Sequence, residues 1–455
     1  MKTMTKKSNA AVLTEGPIGP ILMRLSAPML ISILAMMAFN VIDTFFVARL
    51  GTVALAAMTL TFPVVLVVGT FALGLGVGAM AVISRDIGAG ARDQICRHAT
   101  DALSLTVLCV AVLTGVGLFT IEPLFRLLGA SEAMLPLIRQ YMIIWYPGMV
   151  VYVVPMIGNN IIRATGDTLT PSIVMLIGIA INALLDPLLI FGWGRMPALG
   201  ITGAALATVL ARLLTLIVAL WVLHRREHLL THPWPGARIL LRSWQTILKI
   251  GLPVAISNVV LPIAMGMITR MVTQFGEAAV AGFGVATRIE AFGLSVFYAL
   301  STGISPFVGQ NFGAGRFDRI QRGLSLSFRF CMAWGALLLV VLLIGGRRVA
   351  AVFDPDPGVI ASASSYLWII ALSLGLRGVH NTIWTALNVM HRPYDALGLE
   401  FLLAFALWIP LAWLGARVSQ LTGLYGGLCV ANILAGAVAL VWVQRVMKKV
   451  GRTAD

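Results

Sequence analysis

Twelve stretches of this chain stay apolar for about twenty residues or more, the length an α-helix needs to cross the hydrocarbon core of a bilayer. They run at 21–48, 54–83, 98–120, 136–161, 170–191 and 200–223, and again at 247–274, 278–308, 324–345, 359–389, 396–415 and 423–444. A soluble protein of 455 residues with 59% hydrophobic and only 11% charged residues could not cover its own surface. With a mean hydropathy of +0.93, lipid must be the solvent. Spans of this length predict helices, because only helices and closed barrels satisfy their backbone polar groups inside lipid.

The twelve spans are six, duplicated. At an offset of 225, Pro28, Gly51, Ala54 and Gly78 meet Pro253, Gly276, Ala279 and Gly303, and Gly88-Ala89-Gly90 meets Gly313-Ala314-Gly315. Further on, an offset of 222 pairs Asn159, Ala164 and Pro171 with Asn381, Ala386 and Pro393. An offset of 223 then pairs Pro187, Gly192, Gly200 and Gly203 with Pro410, Gly415, Gly423 and Gly426. The expectation is an all-α integral membrane protein of twelve transmembrane helices in two homologous six-helix bundles. Six is even, so the repeats run parallel, an arrangement transporters use to alternate access around a central cavity. The division expected is an N-lobe at 1–224, a basic linker at 225–246 and a C-lobe at 247–455.

The formal charge of +15 would suggest nucleic acid in a soluble chain, but the basic residues are spread among the connectors. They read as topology signals. Lys and Arg concentrate in the N-terminal tail, the even-numbered connectors and the C-terminal tail, which places both termini in the cytoplasm. The most basic connector, with Arg225, Arg226, Arg238, Arg242 and Lys249, joins the halves. The first span is too long for a signal-peptide core and is expected to remain. Cys96, Cys109, Cys331 and Cys429 show no metal or redox spacing, the histidines lack HExxH spacing, and Gly74, Gly76 and Gly78 have the spacing of helix packing. Neither a cofactor nor ATP hydrolysis is indicated.

An ionisable residue inside a span is costly, so each is a functional candidate. Asp43 lies about eight residues from the outer end of the first span, about 12 Å, and Asp186 about six from the same side of the fifth, about 9 Å. Asn182 precedes Asp186 by four residues and shares its helical face. Thr202 opens the sixth span. Two carboxylates, an amide and a hydroxyl make a set of hard oxygen ligands suited to Na⁺ or to a shared proton. Their counterparts in the second half are Ile268, Phe405, Ile409 and Tyr425. The scaffold is repeated and these ligands are not. Glu290, mid-span in the eighth helix near Arg288, Arg329 and Arg377, reads equally as an internal ion pair or as a second coupling site.

Other residues support a cavity. Met36, Met37 and Met175 are adaptable apolar groups, and Asn40, Asn159 and Asn160 cannot cheaply face lipid. Pro28 sits inside the first span, where it favours a kink on the helix that carries Asp43.

The runs Asp43-Thr44-Phe45-Phe46-Val47-Ala48-Arg49-Leu50-Gly51, Arg163-Ala164-Thr165-Gly166-Asp167-Thr168, Asn182 to Gly192 and Val308 to Ala314 give the chain its likeness. Over nearly its whole length it resembles the multidrug and toxic compound extrusion (MATE) family, in particular its DinF-like bacterial branch. That resemblance implies two six-helix lobes exporting drugs or metabolites in exchange for H⁺ or Na⁺. It matches Asp43, Asn182 and Asp186 to residues that take part in coupling, and Thr202, or Thr208 after a loop shift, to a threonine of the sixth helix. Pro28 matches a proline whose bending is proposed to accompany protonation. Acidic residues that other branches carry in the seventh and tenth helices are absent, which argues against a cation site in the second lobe.

The function expected is a secondary active antiporter of the bacterial inner membrane, a monomer, exporting amphipathic and often cationic compounds. A lipid or lipid-linked oligosaccharide flippase is the alternative, though it would favour a cationic cavity, and Arg212 is the one interior base of the first half. An integral membrane enzyme would need a constellation of His, Ser or Asp that span order keeps apart.

Overall fold

A computed structural model describes residues 13–192, 197–231 and 236–452; the side chains of 40–45, 47, 48, 52, 54 and 450–452 lie outside the description. Among the described residues the chain is helical from end to end. The helices are α1 (Ile18–Ala48), α2 (Thr52–Gly88), α3 (Arg92–Leu127), α4 (Leu135–Ala164), α5 (Leu169–Phe191) and α6 (Ile201–Trp221). The second set is α7 (Ala237–Val272), α8 (Glu277–Gly313), α9 (Phe317–Phe353), α10 (Pro357–Ala371), α11 (Leu374–Val389), α12 (Pro393–Phe401) and α13 (Ile409–Arg452).

Thirteen helices make twelve passes because one pass is built from two helices and the last two helices together supply two passes. α10 and α11 meet at 61° and together form the tenth. At that bend the Ser373 hydroxyl donates to the Ile370 carbonyl at 2.8 Å, a satisfaction that a break inside lipid requires. The run Pro393–Lys449 is 57 residues long, about twice what one crossing needs. It turns at Ser419 and Gln420, whose backbone leaves helical geometry, so it supplies the eleventh and twelfth passes. The expected fold class is the observed one.

The drift of the repeat offset from 222 to 223 also has a structural cause. Between Pro393 and Pro410, the residues that mark the two offsets, Leu402–Trp408 is wound as a π-helix. A π turn is how one extra residue is absorbed without breaking a helix.

The chain divides into two compact units, and the division falls inside α1 and α7. Among the described residues, one unit is Ile31–Ala255 and the other takes 13–30 and those from Ile256 onward. The two breaks are separated by the repeat offset of 225, each two residues beyond a repeated proline, Pro28 or Pro253. Each half thus lends the start of its first helix to the other unit. Inside the first unit a Cβ on Gly78 would meet the Ile247 carbonyl at 2.7 Å and the Gly251 nitrogen at 3.0 Å. Inside the second, a Cβ on Gly303 would meet the Ser26 nitrogen at 2.9 Å. Gly78 and Gly303 are repeat partners, and so are Gly251 and Ser26, so both close approaches were duplicated with the scaffold.

The segments leading into α1 and α7 are fastened too. In the second unit Asn311 donates to the Leu13 carbonyl at 3.1 Å and Arg319 to that of Gly16 at 3.1 Å. In the first unit Arg92 donates to the carbonyls of Glu227 and His228, both at 3.2 Å. Arg226 pairs with Asp167 at 2.8 Å and with Glu227 at 3.4 Å. Thr231 donates its backbone N–H to Thr100 at 3.0 Å. The beginning of the basic connector is therefore part of the first unit.

Candidate functional site

In the first unit one face of α5 is buried along its length, and the spacing of four explains it. Gly178, Asn182, Asp186 and Ile190 recur at i+4 and stack on a single face. That face lies on α6. A Cβ on Gly178 would come 2.8 Å from the Thr215 methyl, and one on Gly203 of α6 would collide with the Leu189 carbonyl of α5. Ile190 packs with Ala204. Glycines at both ends let the helices touch, and the two polar residues fall between.

Asp186 is fully buried and Asn182 is 3% exposed. With its amide nitrogen toward the carboxylate, Asn182 donates to Asp186 Oδ2 at 3.2 Å, and its amide oxygen accepts from the Thr208 backbone N–H at 3.1 Å.

The lower part of α1 reaches the same region. Phe46 stands edge-on to Phe191 at 6.5 Å, and Phe46, Leu50 and Met58 pack against Ile190 and Ala204. Asp43 lies one turn before Phe46, so the α1 turn that carries it runs beside the end of α5. The side chains of Asp43 and Asn40 lie outside the described residues. Thr202 is half-buried at the start of α6, six residues before Thr208, whose backbone meets Asn182.

The cavity candidates are dispersed. Met36 is exposed, while Met37, Met175 and Asn159 are half-buried. Asn160 is buried and donates to the Met156 carbonyl at 2.9 Å, and its side chain occupies the space that Gly76 of α2 leaves open. That is a packing role. Pro28 is half-buried within a continuous α1. Deeper in the unit, the Arg212 guanidinium lies 5.2 Å over the Tyr152 ring, and the Tyr152 hydroxyl reaches α2 at Gly69.

The second unit fills the corresponding places with apolar groups. Ile268 and Tyr425 are fully buried. Tyr425 stacks on Phe283 at 6.2 Å and its hydroxyl meets Ser362 at 3.1 Å. The ungapped repeat is also off by one here: Gly427, not Gly426, takes the Gly203 role, since a Cβ on Gly427 would collide with the Leu411 carbonyl while Gly426 faces open space.

This unit has polar groups of its own. Tyr366 donates to Glu290 Oε2 at 2.7 Å, so the nearest partner of Glu290 is a phenol and not Arg288 or Arg329. Arg377 lies 4.4 Å over the Trp408 ring and donates to Asn432 at 3.2 Å. His380 and Glu400 face each other at 4.0 Å, both buried. The sequence reading passed over Glu400 although it lies inside the eleventh apolar stretch, where the rule applied to Asp43 and Asp186 would have found it.

A duplicated bundle of membrane-crossing helices, with polar groups buried inside units that are otherwise apolar, is the build of a multi-pass membrane transporter. The MatE family model matches twice, over residues 28–188 and 253–414, and both matches begin at the repeated prolines. The chain belongs to that family. It is 38% identical over 444 residues to the FAD transporter of Shewanella oneidensis, covering 97% of this chain and 98% of that one. It is 26% identical over 401 residues to the probable multidrug resistance protein YoeA of Bacillus subtilis, covering 87% and 85%. Among solved structures, the Vibrio cholerae MATE transporter VcmN in the bent form superposes with a TM-score of 0.91 at 28% identity, covering 98% of this chain and 99% of that one.

Proposed function

We propose that the chain is a secondary active exporter in which the buried Asn182–Asp186 pair of α5, with Asp43 and Thr202, takes the driving H⁺ or Na⁺. The observation that carries this reading is the full burial of Asp186 on the face packed against α6. An ionised carboxylate there gains from each cation it can bind, so an ion gradient can bias the state of the first unit. Movement at Pro28 would transmit that bias along α1. The exporter acts as a monomer in the bacterial inner membrane, with both termini in the cytoplasm.

The substrate we favour is an aromatic, phosphate-bearing metabolite such as FAD. Full-length similarity to a protein named as an FAD transporter supports it, as does Arg212 stacked on Tyr152, a cation beside an aromatic plane. Amphipathic cationic compounds are the second reading, favoured by the names of more distant relatives.

The test is efflux from proteoliposomes under an imposed ΔpH or Na⁺ gradient, with FAD and a cationic dye as alternative cargoes. Wild-type protein should move one cargo faster with one of the two gradients, and Asp186→Asn should lose that acceleration. Ion-driven transport unchanged in Asp186→Asn would remove the reading.

A further inference from the structure

The second unit buries an arrangement that the coupling reading does not use. On α11, His380 is 3% exposed; on α12, two residues before the π turn, Glu400 is 5% exposed. Glu400 Oε1 and His380 Nδ1 are 4.0 Å apart, too far for a hydrogen bond. The outward atoms of the pair, Glu400 Oε2 and His380 Nε2, are buried with no hydrogen-bond partner among the described residues. Each such atom is costly as it stands.

The surroundings define what is missing. α8 contributes Glu290 and Tyr298, α10 contributes Tyr366, α11 contributes Arg377, and α13 contributes Tyr425 and Asn432; α9 brings only Cys331, which faces Thr382 at 3.7 Å. Arg377 is the one cation near both glutamates, and it is engaged by Asn432 and Trp408, with no ion pair to either carboxylate among the described residues. With His380 neutral, two carboxylates face one guanidinium. The cluster therefore carries one negative charge in excess, buried where such an excess is not tolerated.

The repeat shows that the pair is an addition to the scaffold. At the offset of 222 that holds before the π turn, His380 and Glu400 replace Gly158 and Gly178 of the first half. Those glycines serve helix contact, Gly178 against Thr215 and Gly158 against Ala219. Where one copy packs backbone to backbone, the other has placed an imidazole and a carboxyl facing each other.

We propose that Glu400 and His380 form a second, exchangeable proton-binding site within the second unit. The proton joins the Glu400 carboxylate to give a neutral carboxyl, and His380 steadies it with its neutral ring as acceptor. The excess charge disappears, and closing the 4.0 Å gap between the two side chains by about 1 Å lets the carboxyl hydrogen reach the imidazole. A proton fits better than a metal ion, because no cluster of three or more metal-binding side chains occurs among the described residues and Arg377 repels a cation.

Difference infrared spectroscopy of the full chain in lipid, titrated with pH, tests the proposal through the carbonyl band of a protonated carboxyl. Wild-type protein should show a component of that band that appears as pH falls, missing in Glu400→Gln and retained in Asp186→Asn. His380→Gln should lower its midpoint by about one pH unit or more, since it removes the group that stabilises the protonated form. A band that never titrates while the protein stays folded, or one from which Glu400→Gln removes no component, overturns the site. Should Glu400→Gln fail to fold, a midpoint unmoved in His380→Gln overturns it equally. Because Asp186→Asn is read in the same experiment, failure here is distinct from failure of the coupling reading.

Discussion

The two units carry the same six-pass scaffold and spend their buried polarity at different heights. In the first, the α5 face reads Gly178, Asn182, Asp186, with the acid near one end and a glycine two turns away. In the second, the equivalent face begins with Glu400 at the glycine's place and continues with Phe405 and Ile409 where the amide and acid would be. The acid has moved by eight residues, about 12 Å along a helix axis. Glycines, prolines and close backbone approaches persist in both copies because packing needs them. The buried acids do not belong to the scaffold; they are placed on it.

Four experiments can break or sharpen that contrast. The largest effect is expected from Asp186→Asn, which should slow ion-driven efflux at least about tenfold, the change that about 1.4 kcal/mol of lost ion binding produces. Placing asparagine at Ile409 should leave the ion dependence intact; loss of coupling there would mean the units share the task.

Next comes a pair of identical substitutions with opposite signs. Gly203→Ala pushes a methyl into the Leu189 carbonyl and should cost about 1–3 kcal/mol. Gly426→Ala enters open space inside a helix and should stabilise by about 0.5–1 kcal/mol. Thermal unfolding in detergent measures both, and matching signs would restore the ungapped register.

Tyr425→Phe should be milder. It removes one hydroxyl contact with Ser362, worth about 0.5–1.5 kcal/mol, and keeps the ring on Phe283. Unfolding should shift slightly with no change in the response to ΔpH, as expected where the place of Thr202 is taken by a packing residue.

The smallest effect lies outside the membrane. Burial pushes the Glu227 carboxyl above its ordinary value, partly offset by the Arg226 charge. The docked segment then holds a proton more tightly than the released one, so its attachment should weaken as pH rises from the ordinary carboxylate value through the raised one. Hydrogen exchange at 227–231 should speed up over that range by more than the intrinsic pH dependence of amides, and Glu227→Gln should remove the excess. The matching segment at 13–16 rests on Arg319 and backbone carbonyls, so its exchange should follow only the intrinsic pH dependence of amides.

Most of the architecture was legible because lipid imposes length and apolarity on every pass, and because duplication left glycines and prolines at constant offsets. Even the π turn was visible, as a change of one in the offset between Pro393 and Pro410. The pairing of His380 with Glu400 was not, since it depends on how the eleventh pass packs on the tenth beyond a 61° bend. Nor was the break of the units inside α1 and α7, where hydropathy is continuous. Asn182 and Asp186 were readable together because four residues along one helix need no tertiary information.

The exchange of helix beginnings bears on how the protein is made. A ribosome releases the start of α1 first, yet its neighbours in the finished unit, Gly303 and Leu326, emerge some three hundred residues later. Until then that segment has entered the bilayer without its final mates. A gene cut at the connector would yield two products, each short of a helix start that only the other supplies. Assembly of this chain is therefore obligately joint: the last-synthesised half completes the first.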